Sequence, residues 1–115
     1  MLTVTLDAYA DLDLIALGAC HSPADWVVRP LGVEAQWSID GRSWSPWTDL
    51  ELVNPPTDLQ NDSRRLRYTI SPRRGAKKIH FVRLRLVCQP TLPVWHPYAG
   101  HPSWLMIDEV EVLSR

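Results

Sequence analysis

Apolar and polar positions alternate along most of this chain. Side chains two positions apart share one face of an extended strand. "LTVTLD", residues 2–7, has this period, and "GVEAQWSIDG", 32–41, has it clearly. There Val33, Ala35 and Trp37 are predicted to face a core, and Glu34, Gln36 and Ser38 to face water. "LDLIALGAC", 12–20, sets Leu12, Leu14, Ala16 and Gly18 on one side and Ile15, Leu17 and Ala19 on the other. Apolar positions on both sides predict a strand covered on both faces. "RRLRYTI", 64–70, carries Leu66, Tyr68 and Ile70 on one face. "IHFVRLRLVC", 79–88, has the strongest pattern, with His80, Val82, Leu84 and Leu86 opposite Phe81, Arg83 and Arg85. "WLMIDEVEVL", 104–113, is the last predicted strand.

The connections carry breaker chemistry. "HSPADWVVRP" is predicted as a loop ending in a short extended piece before Pro30. "DG" at 40–41 marks a tight turn, followed by the aromatic return "RSWSPW". Residues 53–63, "VNPPTDLQNDS", form a polar loop, and "SPRRGAKK" a basic turn. "YADLDLIAL" is the sole helix candidate, and its alternation argues against it. Short strands at close spacing predict an all-β fold, an antiparallel β-sandwich or jelly roll, in a single domain spanning residues 1–115.

Charge changes the picture only locally. The formal net charge is −1, so nothing draws the whole molecule to nucleic acid or to an anionic membrane. Residues 1–62 hold ten acids and two bases, whereas 63–107 hold nine bases and no acid. This division predicts two complementary surfaces, or arginine stems lying over apolar edges. "SRRLRYTISPRRGAKKIHFVRLR" mixes bases with aromatics, but no nucleic-acid motif is present, and no nucleic-acid partner is expected. No run of eighteen apolar residues occurs, so no membrane partner is expected either. The first residues lack the basic start and apolar core of a signal peptide. Cys20 and Cys88 each end a predicted strand; two buried free thiols are expected in preference to a disulfide.

The segment "PTLPVWHPYAGHPSW", 90–104, packs two tryptophans, two histidines, a tyrosine and four prolines into one connection. A connection of that length is often functional. Sugar rings lay their C–H faces on flat aromatic rings, and their hydroxyls bond to polar side chains. Trp26, Trp95, His96, Tyr98 and His101 are the candidate carbohydrate-binding set. Trp26, Trp37, Trp95 and Trp104 equally fit core packing, with a ring plugging the space under a loop. Tyr98 is the ring expected to be most exposed. His96, His101 and His21 are spaced too loosely to predict a zinc site, so no metal or other cofactor is expected. Asp108 and Glu109 adjoin in a strand and are predicted to point to opposite faces, which rules out a paired-carboxylate mechanism there. No GxSxG, HExxH or phosphate-binding motif occurs, and no catalysis is expected.

The order of these motifs also resembles a known family. "GACHSPADWVVRP", "SIDGRSWSPW", "KKIHFVRLRLV" and "LPVWHPYAGHPSWLMIDEVEV" follow one another as in discoidin-like (factor 5/8 type C, galactose-binding-like) domains. The nearest likeness is to the module following the catalytic barrel in some bacterial family 20 β-N-acetylhexosaminidases. It runs from about residue 3 to 113, and its specific part is the "WHP…G…W…DE" string. Tyr98 stands where the family has a small residue or Gly, and Pro102–Ser103 stand before the second Trp, where Lys is common. The resemblance implies a non-catalytic accessory module that binds carbohydrate weakly or packs against an adjacent glycosidase domain. A secreted parent would place it in the periplasm or outside the cell. The alternative is a structural or protein-interaction domain without a small ligand. Asp108 is expected, by the same likeness, to anchor a loop through backbone N–H groups. The family's opening segment, with its first strand and calcium loop, has no counterpart ahead of "LTVTLD". A sandwich lacking that strand is expected to leave an edge open to self-association or to another chain.

Overall fold

The computed structural model describes residues 2–58, 61–72 and 76–114, with the side chain of Asp7 outside the described set. Eight strands follow in order: β1 (Leu2–Ala10), β2 (Leu12–His21), β3 (Gly32–Ser38), β4 (Thr48–Asp49), β5 (Glu51–Leu52), β6 (Arg64–Ile70), β7 (Ile79–Val87) and β8 (Ile107–Ser114). Among the described residues the only helical element is a 3₁₀ turn at Pro23–Asp25. None of its helices is long and apolar enough to cross a membrane. The strands form two four-stranded antiparallel sheets, ordered β1-β7-β3-β4 and β5-β6-β2-β8, and the sheets pack as a β-sandwich.

Alternation builds the space between the sheets. Val33, Ala35, Val82 and Leu84 from one sheet join Ile15, Leu17, Ala19, Leu66 and Tyr68 from the other in one buried cluster. Register keeps like faces together: Ala35 lies opposite Leu84, Leu17 opposite Tyr68, and Ala19 opposite Leu66. Each Val, Leu or Ile side chain in it contributes about 1.5–3 kcal/mol on burial, and the alanines less. Tyr68 donates its hydroxyl to the Pro30 carbonyl at 3.2 Å, which satisfies a polar tip inside the apolar layer.

Two bulges alter the predicted faces. The β2–β8 register shifts between Leu12 and Leu14, so one extra β2 residue faces β8. Leu12 thereby joins Ile15 and Leu17 in the core, while Leu14 is only half-buried. Strict alternation had placed Leu12 and Leu14 together. The second shift, between Gly18 and Ala19, leaves Asp108 as an extra residue on β8. A bulge breaks the two-residue period. Asp108 and Glu109 therefore do not point to opposite faces: both reach Arg65. Asp108 pairs with that guanidinium, where a loop-anchoring role was expected. Gly18 makes room for the pair, since a Cβ there would collide with the Asp108 carboxylate.

The outer faces are covered as well. Gln36 and Ser38, expected in water, are 8% and 2% exposed. The aromatic return folds over them. Arg83 stacks on Trp44 at 3.7 Å and Arg85 on Trp47 at 4.2 Å. Ser38 Oγ donates to the Ser43 carbonyl at 2.6 Å and accepts from the Gly41 N–H at 2.9 Å. Gly41 sits at φ +78°, where a side chain would be strained. On the second sheet, Arg67 forms a two-pronged pair with Glu111 across β2, at 3.1 and 3.4 Å. The basic half of the sequence thus meets the acids of β8 across β2. Cys20 is half-buried and Cys88 exposed, and both are free, so the expectation of two buried thiols fails on burial. The last strand begins at Ile107, not at Trp104, because residues 104–106 lie outside the strand proper. Part of the predicted basic turn, residues 73–75, lies outside the described residues.

Two outcomes follow from this packing. Leu84→Ala, at a fully buried position, should lower stability by about 2–5 kcal/mol in chemical denaturation. Acid should also weaken the fold. The Ser43 and Arg42 N–H groups hold the Asp40 carboxyl below its ordinary pKa, and Arg67 does the same for Glu111. Each folded carboxyl binds its proton less readily than the unfolded one. Their contributions are present above the ordinary carboxylate range near about pH 4 and are lost as pH falls through the lower folded values. In urea titrations, Asp40→Asn and Glu111→Gln should flatten this acid dependence while leaving the Leu84→Ala loss unchanged.

Candidate functional site

The candidate rings stand on two segments at one end of the sandwich. The first runs from His21 through the 3₁₀ turn to Pro30. Pro23 starts that turn with its preset φ. Trp26 ends it in the left-handed region, at φ 62° and ψ 21°, and donates its N–H to the Pro23 carbonyl. A non-glycine residue there carries backbone strain of about 1–2 kcal/mol. The Trp26 carbonyl accepts from the Trp104 N–H at 2.9 Å, which ties this segment to the second.

The second segment, 90–104, is a closed loop with its own hydrogen bonds. Leu92 donates to His101 at 2.7 Å, Gly100 to Leu92 at 3.0 Å, and Ser103 to Pro90 at 3.2 Å. Gly100 occupies φ +87°, as a tight reversal requires. Leu92 is buried and plugs the loop from within. A loop whose ends meet and whose interior is filled by its own side chain is an Ω-type loop. Gln89 Nε2 donates to the Arg29 carbonyl at 2.7 Å, adding a further tie to the first segment.

His96 is the central fastening. It is only 7% exposed. Its Nε2 bonds to the Pro23 carbonyl at 2.8 Å, and its Nδ1 accepts from the Tyr98 N–H at 3.0 Å. The neutral imidazole with its proton on Nε2 satisfies both partners. Because both ring nitrogens are engaged, His96 is taken up as structure and is unsuited to ligating zinc. No group of three His, Cys, Asp or Glu among the described residues is arranged to hold a metal.

The five candidate residues are linked by ring contacts, with His96 joining Trp95 to Tyr98. Trp26 lies 5.4 Å from Tyr98 and 5.6 Å from His101, and Tyr98 meets His101 edge-on at 6.1 Å. Pro23, Ala24, Trp26, His96, Pro97 and Tyr98 line an open pocket of about 250 Å³. Tyr98 is 55% exposed, Trp26 half-buried and His101 exposed. Trp95 does not line that pocket, although its ring lies 6.0 Å from that of His96. It faces His21 at 6.3 Å, and His21 is fully buried with Nδ1 accepting the Arg29 N–H. Trp104, expected as a possible plug, is 68% exposed instead, because its backbone, and not its ring, bridges to residues 26–28. Pro23, Ala24 and Pro97 were not predicted for the pocket. A proline beside a candidate ring was the available signal, since its flat apolar face and fixed φ suit a pocket wall.

A second cavity, of about 230 Å³, lies on the outer face of the second sheet between Arg65, Arg67, Glu109 and Glu111. Its polar groups already serve one another: the arginines pair with β8 acids, and Asn54 bonds to Arg65 and Arg67 backbone. That cavity has little left to offer a ligand. Compared with protein-family models and with curated proteins, the chain matches none.

His96→Ala should leave the Pro23 carbonyl and the Tyr98 N–H without partners. Thermal and urea unfolding should show a loss of about 2–4 kcal/mol, and hydrogen exchange at the Tyr98 amide should accelerate more than exchange in β7.

Proposed function

We propose that this chain is a non-catalytic carbohydrate-binding module, a β-sandwich of the discoidin-like, galactose-binding-like kind that accompanies bacterial β-N-acetylhexosaminidases. The observation that carries the proposal is the contact of Trp26 with Tyr98 in the wall of an open apolar pocket, with His101 packed against both rings. The Trp26 and Tyr98 rings, in contact at 5.4 Å, offer a sugar one continuous apolar wall for a C–H face. His101, exposed and packed against both rings, would supply a polar group beside that wall. The pocket volume lies just below the usual range for ligand sites, which suits one monosaccharide unit and weak affinity. The ordered loop costs little entropy on binding. The strain stored at Trp26 supports the same reading, since backbone strain clusters at functional sites.

A second reading has its own observation. Val94 and Trp104, on the same loop, are exposed apolar side chains, and Met106 follows just beyond it. Singly they need no explanation, but together they fit contact with a neighbouring protein domain, such as the catalytic domain of a glycosidase.

Titration with N-acetylhexosamines and their short oligomers, read by tryptophan fluorescence, separates the two. Carbohydrate binding requires a saturable response with a Kd of about 1–10 mM. Trp26→Gly and Tyr98→Ala should each weaken binding at least about tenfold with little change in melting temperature. Trp104→Ala should leave it unchanged. A flat wild-type titration would sink the sugar reading and leave the protein-contact one.

A further inference from the structure

Four strands stand at the sheet edges: β1 and β4 in one sheet, β5 and β8 in the other. β4 and β5 have two residues each, too short to template another chain. β8 presents Asp108, Glu109 and Glu111, so pairing it with its own copy would bring like charges together. β1 differs from all three. It is nine residues long, and residues 2–6 hold no charge and no proline. Its pairing with β7 is regular from Leu2 to Thr5, and the register shift begins only after Thr5. Among the described residues, none of the usual devices that blunt an edge acts on that stretch.

The stretch is also a palindrome. Leu2-Thr3-Val4-Thr5-Leu6 has the same order in both directions about Val4. We propose that β1 pairs antiparallel with β1 of a second copy of this chain, about a two-fold axis through Val4. An isologous contact requires that residue i meet residue j while j meets i. Here Leu2 meets Leu6, Thr3 meets Thr5, and Val4 meets its own counterpart. Each pair has equal parity, so the faces match. Val4 and Leu6, packed against the core, continue the inner layer, and the exposed Thr3 and Thr5 continue the outer one. Leu2, 39% exposed in the single chain, gains an apolar neighbour. Two four-stranded sheets then become one of eight strands, ordered β4-β3-β7-β1-β1-β7-β3-β4. Thr–Thr pairs across antiparallel strands are favourable. A short strand pairing buries less than the area of a stable complex, so the dimer belongs to the weak, concentration-dependent class. None of the pocket residues lies on β1, so this dimer and sugar binding stand or fall separately.

Sedimentation velocity from about 10 µM to 1 mM tests the pairing. Wild-type protein should move from monomer to dimer across that range. The double variant Thr3→Lys/Thr5→Lys, at two exposed positions, should remain monomeric, because each Lys then faces a Lys. Thr3→Glu/Thr5→Glu should also remain monomeric alone. An equimolar mixture of the two should recover the dimer and lose it again in 1 M salt, a screening length of about 3 Å. Amide exchange at residues 3–5 of wild-type protein should slow as concentration rises, a readout that needs no variant. A wild-type monomer throughout with unchanged exchange, or a Lys variant that dimerises like wild type, would overturn the proposal.

Discussion

The two sheets are held by one shared layer of side chains, and every other feature is placed by it. Ile15, Leu17 and Ala19 from β2 meet Val82, Leu84 and Ala35 from β7 and β3 in that layer. β2 and β7 are each paired on both sides, so they carry the registers of both sheets. Once those registers are set, the strand ends are set too, and with them the two segments that leave β2 and β7 at the same end. The ring-lined pocket is thus a consequence of core packing: His21 ends β2, Val87 ends β7, and the loops that follow are fastened where these ends converge. Fastening falls to polar groups that the core cannot supply, chiefly His96 and the Trp26–Trp104 backbone bond.

Charge is used locally, not globally. Bases cluster in one stretch of sequence and acids in others, yet the fold interleaves them. Arg65 and Arg67 on β6 reach across β2 to acids on β8, and Arg85 meets Glu34 on the neighbouring strand at 2.9 Å. Exposed ion pairs of this sort contribute little singly. Their importance is that small β2 residues, Gly18 above all, let the arms close over the sheet. Trp44 and Trp47 cover the opposite face by stacking on Arg83 and Arg85. Both outer surfaces are therefore finished by arginine, in one case against carboxylates and in the other against rings.

Much of this was legible in the sequence. The period-two pattern located β1, β2, β3, β6 and β7, and the Asp-Gly turn is as expected. The exceptions have physical reasons. A bulge leaves no mark in hydrophobic periodicity, so the side taken by Leu12 and the shared target of Asp108 and Glu109 were not foreseeable. Gln36 and Ser38 look solvent-facing because their cover comes from a distant turn, not from their own strand. For the pocket, composition picked out the loop, and Trp26, Tyr98 and His101 do converge with His96. The sequence could not separate His96, which is used as a rivet, from Tyr98, which stays open. Both are polar rings flanked by proline, and only tertiary bonding distinguishes them.

Asp11 is the sole residue between β1 and β2, so a nearly continuous run of strand leaves one sheet and enters the other. Its carboxylate accepts the Lys78 N–H at 3.0 Å, pinning the crossing to the entrance of β7. The two layers are thereby clasped by a covalent staple as well as by their apolar contact. Tension along this run would load the ladders on both sides in shear, with many hydrogen bonds bearing the force at once. Tension drawn through β8, an edge strand tied to β2 alone, would instead peel away one border and leave the clasp closed.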